Sequence, residues 1–205
     1  IQSHYAARDS VDAITAAAFK EIGSRVRQGG TREFEIQQWI LEAFRRENLV
    51  TGDPPVVAVN ANSGNPHYGP DAARCAPIRE GDFVLLDIWA KKNTPNAVYY
   101  DITWTGFVGP NPSDRMREIF HIVREGRDAG IQFVKESVGS GKQICGWEID
   151  DPVRQSITKA GYGAYFLHRT GHSIGTEVHA NGANIDNLEV RDERHILPSS
   201  CFSIE

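Results

Sequence analysis

The chain has 205 residues, of which 40% are hydrophobic; 22 basic against 27 acidic side chains leave a formal net charge of −5. With a mean hydropathy of −0.41, this composition describes an ordinary globular protein and excludes a fibrous or disordered one. No apolar run approaches the ~20 residues of a membrane span, and no Lys/Arg cluster offsets the acidic balance as a nucleic-acid surface requires. Cys75, Cys145 and Cys201 are odd in number and far apart, with no Cys-x-x-Cys. That pattern points away from a disulfide scaffold or zinc knuckle and toward a reducing, cytoplasmic setting. Ile1-Gln2-Ser3-His4 has neither the basic start nor the apolar stretch of a signal peptide. Both ends read as cut from something longer.

In chain order, apolar residues at Val11, Ile14, Ala18, Ile22 and Val26 predict an amphipathic helix from Ser10 that Gly29-Gly30 stops. Thr31 is the expected N-cap of a second helix through Ile36, Ile40 and Phe44, ending near Asn48. Strands are expected at Pro55–Val59, at Asp82–Ala90 and at Val98–Val108, with Lys91–Asn96 as the polar turn of an antiparallel hairpin between the last two. Ser113 can cap a helix running to about Val138, broken by Gly139-Ser140-Gly141. Asp151-Pro152 is expected to open another helix with proline at its first position. Strand-like segments follow around Tyr165–Leu167 and Cys201–Ile204. Two helices followed by strands, twice over, suggest an internal duplication of an α+β half.

Four features carry chemistry. Asp87 interrupts the apolar run Phe83–Ala90, and Asp101 lies among aromatic residues of the partner strand. Buried, unpaired carboxylates cost several kcal/mol each, so two on neighbouring strands either face solvent or find cations. The segment His168–His179 places three histidines within twelve residues, with glycines beside His172. Neutral imidazole mixed with carboxylate suits divalent first-row metals. His67 lies in a loop before the Asp87 strand, and Glu205 ends an apolar run. Two other readings fail. Val138–Gln143 lacks the first glycine and the final Ser/Thr of a phosphate loop, and no Gly-x-Ser-x-Gly elbow is present.

Together, Asp87, Asp101, His172 and Glu205 resemble the metal ligands of the pita-bread metallopeptidases, the family of methionine aminopeptidase, aminopeptidase P and prolidase. Gly81–Asp87 is similar to the family's first metal-Asp strand, and Tyr100–Phe107 to its second. His168–His179 fits every fixed position of the family's His-x-x-Gly-His-x-x-Gly-x-x-Val-His element, and Phe202–Glu205 resembles the start of its Glu-Pro-Gly signature. The Xaa-Pro branch is the more similar one, although Trp104 stands where that branch commonly has Arg and Ala180 replaces an acidic neighbour.

The resemblance implies an α+β pita-bread fold, with two pseudo-symmetric halves and helices outside a curved, mainly antiparallel sheet. Residues 1–205 would form one catalytic domain lacking an N-terminal domain and the last C-terminal strands, among them a further Glu ligand. It also implies hydrolysis of peptide bonds near the N-terminus, with proline after the scissile bond, by a hydroxide that two divalent ions (Mn, Co, Zn or Fe) activate. Asp101 would bridge the ions, Asp87 would hold one, and His172 and Glu205 the other. Glu205 would also shuttle a proton, His179 and His67 would bind substrate and stabilise the oxyanion, and His168 would orient a ligand or strand. A homodimer is expected of the intact protein, with no nucleic-acid or membrane partner. The alternatives on the same fold are a creatinase-like amidinohydrolase and a catalytically inactive partner-binding module.

Overall fold

A computed structural model describes residues 1–205, which divide into two compact units, Ile1–Pro112 and Ser113–Glu205. The first unit opens with helix α1 (Gln2–Arg27), followed by β1 (Thr31–Arg32) and α2 (Glu33–Arg46). Next come β2 (Leu49–Val50), β3 (Val56–Val59) and β4 (Pro77–Ile78), then the long strands β5 (Phe83–Lys92) and β6 (Tyr100–Phe107). Strand β5 is the spine. It pairs antiparallel with β3 through Val56↔Asp87, with β6 through Asp87↔Thr103, and with β2 at Leu49↔Lys92.

The alternation along β5 is sharp. Val84, Leu86, Ile88 and Ala90 are fully buried. They pack with Ala7, Val11, Ile14, Ala18 and Ile22 of α1 and with Ile36, Ile40, Ala43 and Phe44 of α2 in one apolar cluster. Phe83, Leu85, Asp87, Trp89 and Lys91 point to the opposite face, as the period of two requires.

Several boundaries differ from the sequence reading. Helix α1 starts at Gln2, eight residues earlier than expected, because Ala7 is also fully buried and carries the apolar stripe back toward the start. Thr31 is not the N-cap of α2. Its backbone pairs with Ile78, its hydroxyl donates to Glu35 at 2.8 Å, and Arg32 takes the cap position. The helix closes at Arg46, and Asn48 turns the chain with a left-handed φ of 53°. Lys91 and Lys92 remain in β5 because β2 pairs with them.

The second unit repeats the helix lengths of the first. Helix α3 (Asp114–Gly139) has 26 residues, as α1 does, and α4 (Gly146–Lys159) has 14, as α2 does. Ser113 caps α3 as expected, accepting from the Met116 N–H. The start of α4 lies six residues before Pro152, whose ring therefore sits inside the helix and removes the hydrogen bond to the Glu148 carbonyl. Burial of Ile149, Val153 and Ile157 on one side holds the helix through that gap, and the Cys145 N–H is capped by Glu148 at 2.9 Å. Gly130 of α3 allows close packing on α4, since a Cβ there would lie 2.7 Å from Val153 Cγ2.

Beyond α4 the chain is mostly irregular. Gly163–Tyr165 forms a 3-10 turn instead of the expected strand, leaving Tyr165 and Leu167 exposed. The strands β7 (Ser173–Ile174) and β8 (Cys201–Phe202) pair with register Ser173↔Phe202, and Gly171 forms an isolated antiparallel bridge with Ile185. No helix is long and apolar enough to cross a membrane.

Candidate metal centre

The acidic face of the first unit follows from strand register. Asp87 opposes Thr103 and Trp89 opposes Asp101. Residues directly opposite share a face, so Asp87, Trp89, Asp101 and Thr103 all stand on the side of the sheet away from α1 and α2. A one-residue slip would drive both carboxylates into the apolar cluster, so burial of Leu86 and Ile88 also fixes the aim of the aspartates. The Thr103 hydroxyl donates to Asp87 Oδ1 at 2.7 Å, orienting that carboxylate. The buried Trp89 indole N–H on the same face has no hydrogen-bond partner. His67 lies in the loop between β3 and β4 and is exposed, with its N–H on Asn65 Oδ1 at 3.0 Å.

The histidine element and the chain's last residues meet in the second unit. The Ser203 N–H donates to the His172 carbonyl at 2.8 Å, and the Glu205 N–H to the Thr170 carbonyl at 2.9 Å. Gly171 makes this approach possible, because a Cβ there would sit 2.1 Å from the Ser203 carbonyl oxygen. Ser203 also accepts from the His172 N–H at 3.0 Å and donates to Glu205 Oε1 at 2.6 Å. His172 is almost fully buried, and its Nδ1 lies 3.1 Å from the Ser173 carbonyl.

A carbonyl only accepts, so Nδ1 carries the proton there, and a neutral ring then presents its Nε2 lone pair outward. Nε2 lies 3.1 Å from Glu205 Oε1. Two acceptors at that separation require a proton or a cation on their shared side. The pair therefore fits a divalent metal, and the donor set of imidazole and carboxylate suits first-row ions. Where a proton and not a cation fills that gap, the ring is protonated and donates from Nε2; burial then pushes the Glu205 carboxyl up, but hydrogen bonds from His172 and Ser203 outweigh it and hold the group below the usual carboxylate range. His179 is exposed, with its ring edge-on to His172 at 4.3 Å between centroids.

A buried clamp lies behind this element. Asp150 of α4 is fully buried and takes both nitrogens of the Arg154 fork at 2.8 and 2.9 Å. It also accepts from the Thr170 hydroxyl at 2.6 Å and from the Thr170 N–H at 3.1 Å. Arg154 in turn donates to the Phe166 and His168 carbonyls. His168, whose Nδ1 is 3.0 Å from the Arg169 carbonyl, is thus held by α4 at the entrance to the histidine element. Sequence reasoning missed Asp150, Arg154 and Ser203; an acid one residue after Ile149 on the buried side of a helix was the available signal for the first.

A sheet bearing two carboxylates on one face, and a buried histidine beside a glutamate, are features expected of the pita-bread metallopeptidases. The chain matches metallopeptidase family M24 over residues 9–205 and belongs to that family. It is 32% identical over 193 residues to a Xaa-Pro dipeptidase of Lactobacillus helveticus, covering 92% of this chain and 47% of that protein. A Xaa-Pro dipeptidase of Lactobacillus delbrueckii subsp. lactis is 31% identical over 192 residues, covering 90% of this chain and 46% of the other. Among solved structures, the prolidase of Pyrococcus furiosus superposes with a TM-score of 0.77 at 25% identity, covering 99% of this chain and 54% of the other. The Xaa-Pro dipeptidase of Bacillus anthracis gives 0.70 at 31% identity, covering 94% and 49%. The chain thus spans about half the length of the curated relatives it matches.

Proposed function

We propose that residues 1–205 form a metallopeptidase catalytic domain that hydrolyses peptides near their N-terminus, with proline after the scissile bond. Family membership supports the class, and the names of the relatives support the proline preference. The observation that carries the reading is the His172–Glu205 pair, with Nδ1 committed to a carbonyl and Nε2 facing a carboxylate oxygen at 3.1 Å. Each half contributes ligands: Asp87 and Asp101 from the first, His172 and Glu205 from the second. Two divalent ions held by this set would act as Lewis acids, polarising the scissile carbonyl and acidifying water.

The protein's own groups do the rest. Glu205, whose carboxylate accepts from the Ser203 hydroxyl at 2.6 Å, takes up a proton and passes it toward the leaving amine. His179 and His67 donate to substrate carbonyl oxygens and stabilise the oxyanion. His168, fixed through Arg154, orients the histidine element. A cytoplasmic setting and homodimeric assembly belong to the same proposal, the first supported by three free cysteines.

The test is a panel of Xaa-Pro dipeptides offered to the full-length protein with added Mn²⁺ or Co²⁺, alongside creatine. Cleavage before proline that vanishes in Asp101→Asn is expected. Silence across the panel, or unchanged turnover in that variant, contradicts the reading.

A further inference from the structure

The segment Asn60–Cys75, which carries His67, has almost no core of its own: only Pro70 and Cys75 are buried within it. What fixes it is a single carboxylate. Glu33, the first residue of α2, is fully buried, and its Oε1 accepts from the Val59 N–H at 2.7 Å and from Asn62 Nδ2 at 2.9 Å. Its Oε2 accepts from the Ala76 N–H at 2.6 Å and from the Tyr68 hydroxyl. One side chain therefore ties both ends of the segment and two points inside it, one of them the neighbour of His67. Arg32 adds a grip at the far end, donating to the Cys75 carbonyl and, at 3.2 Å, to its sulfur.

The site suits an anion. It lies at a helix N-terminus, where the unpaired N–H groups favour negative charge, and four donors replace the water that a buried carboxylate loses. None of these donors belongs to the acidic face or to the histidine element, so the network has no evident part in holding a cation. Its reach is toward His67.

We propose that Glu33 is a positioning residue for His67, acting through the Tyr68 hydroxyl to hold the substrate-contacting histidine in place. This rests on the reading of His67 as a substrate contact. Proximity effects make such a role measurable, since a misplacement of roughly 1 Å can cost about a hundredfold in rate.

The experiment is a double-mutant cycle in the full-length protein, reading kcat and KM on a Xaa-Pro dipeptide together with metal content. Tyr68→Phe removes one donor and keeps the ring, so it avoids the folding risk of Glu33→Gln, which turns an NH₂ group toward backbone donors. Tyr68→Phe is expected to lower kcat/KM about tenfold with metal content unchanged, a part of the full positional effect. In a His67→Ala background it is expected to cause no further loss, because the group being positioned is gone. An undiminished loss in that background, or a loss of metal in Tyr68→Phe, overturns the proposal while leaving His67 as a substrate contact. A silent His67→Ala overturns both the substrate role of His67 and the positioning role of Glu33, and leaves the metal assignment standing.

Discussion

The two halves of this chain share helix lengths and differ in what holds them together. Residues 1–112 are organised around a broad apolar cluster, with the even-numbered residues of β5 packed beneath α1 and α2. Residues 113–205 bury only Ile144, Ile149 and Ile185 in their apolar cluster. Buried carboxylates take over its work. Asp150 clamps Arg154 and Thr170, and Asp186 caps the N–H groups of Leu188, Glu189 and Val190. Asp192 holds Arg194 and the Asn184 N–H. A sheet can be specified by apolar period alone. An irregular segment such as 175–200 exposes backbone donors that must be satisfied one by one, and charged acceptors make those bonds stronger than neutral ones would.

That contrast can be broken from either side. The largest expected effect is Asp150→Ala, which strands a half-buried guanidinium and the backbone N–H groups of Thr170 and Asn187 and should cost about 3–5 kcal/mol. Hydrogen exchange should show lost protection across 166–187 with β5 unaffected. Leu86→Ala is the mirror experiment, a cavity in the first core worth about 2–5 kcal/mol, expected to loosen β5 and α1 and to spare the histidine element. Gly171→Ala comes next at about 1–3 kcal/mol, because its Cβ meets the Ser203 carbonyl and must push the segment from Ser203 to Glu205 away from His172. Equal loss of protection in both halves for any one of these would erase the distinction.

Acid sharpens it further at smaller cost. Burial works to raise the Asp192 pKa, but Arg194 and the N–H groups of Asn184 and Arg194 leave it below the ordinary value; Lys142 and the Cys145 N–H lower that of Glu148. Both folded pKa values lie below the unfolded ones. Their stabilisation is therefore complete above an unfolded carboxylate value of about 4 and disappears as pH falls through the folded values. Amide protection measured from about pH 5 down to about pH 2 should fade around 142–148 and 184–194 before it fades in β5.

The same contrast decides how much was legible in the sequence. The apolar run at Phe83–Ala90, broken by one aspartate, announced both the spine of the first sheet and its acidic face. The histidine spacing announced the element that meets Glu205. Strands of two residues such as β1, β4 and β7 left no trace, since a period of two needs more than two residues to be seen. The start of α4 was hidden by Pro152, which reads as a first-turn proline but lies inside a helix capped from Cys145. Glu33 looked like any acid at a helix start, and only its burial and its four donors distinguish it. Long-range partners such as Ala76 and Tyr68 cannot be read from local pattern.

Cation binding by Asp87, Asp101, His172 and Glu205 is the claim on which the functional account stands. Elemental analysis of the full-length protein after dialysis against Mn²⁺ tests it directly, beside His172→Ala and Asp87→Asn variants that still melt cooperatively. The account predicts close to two ions per chain in the parent and a clear loss in each variant; full metal content in both variants would contradict it.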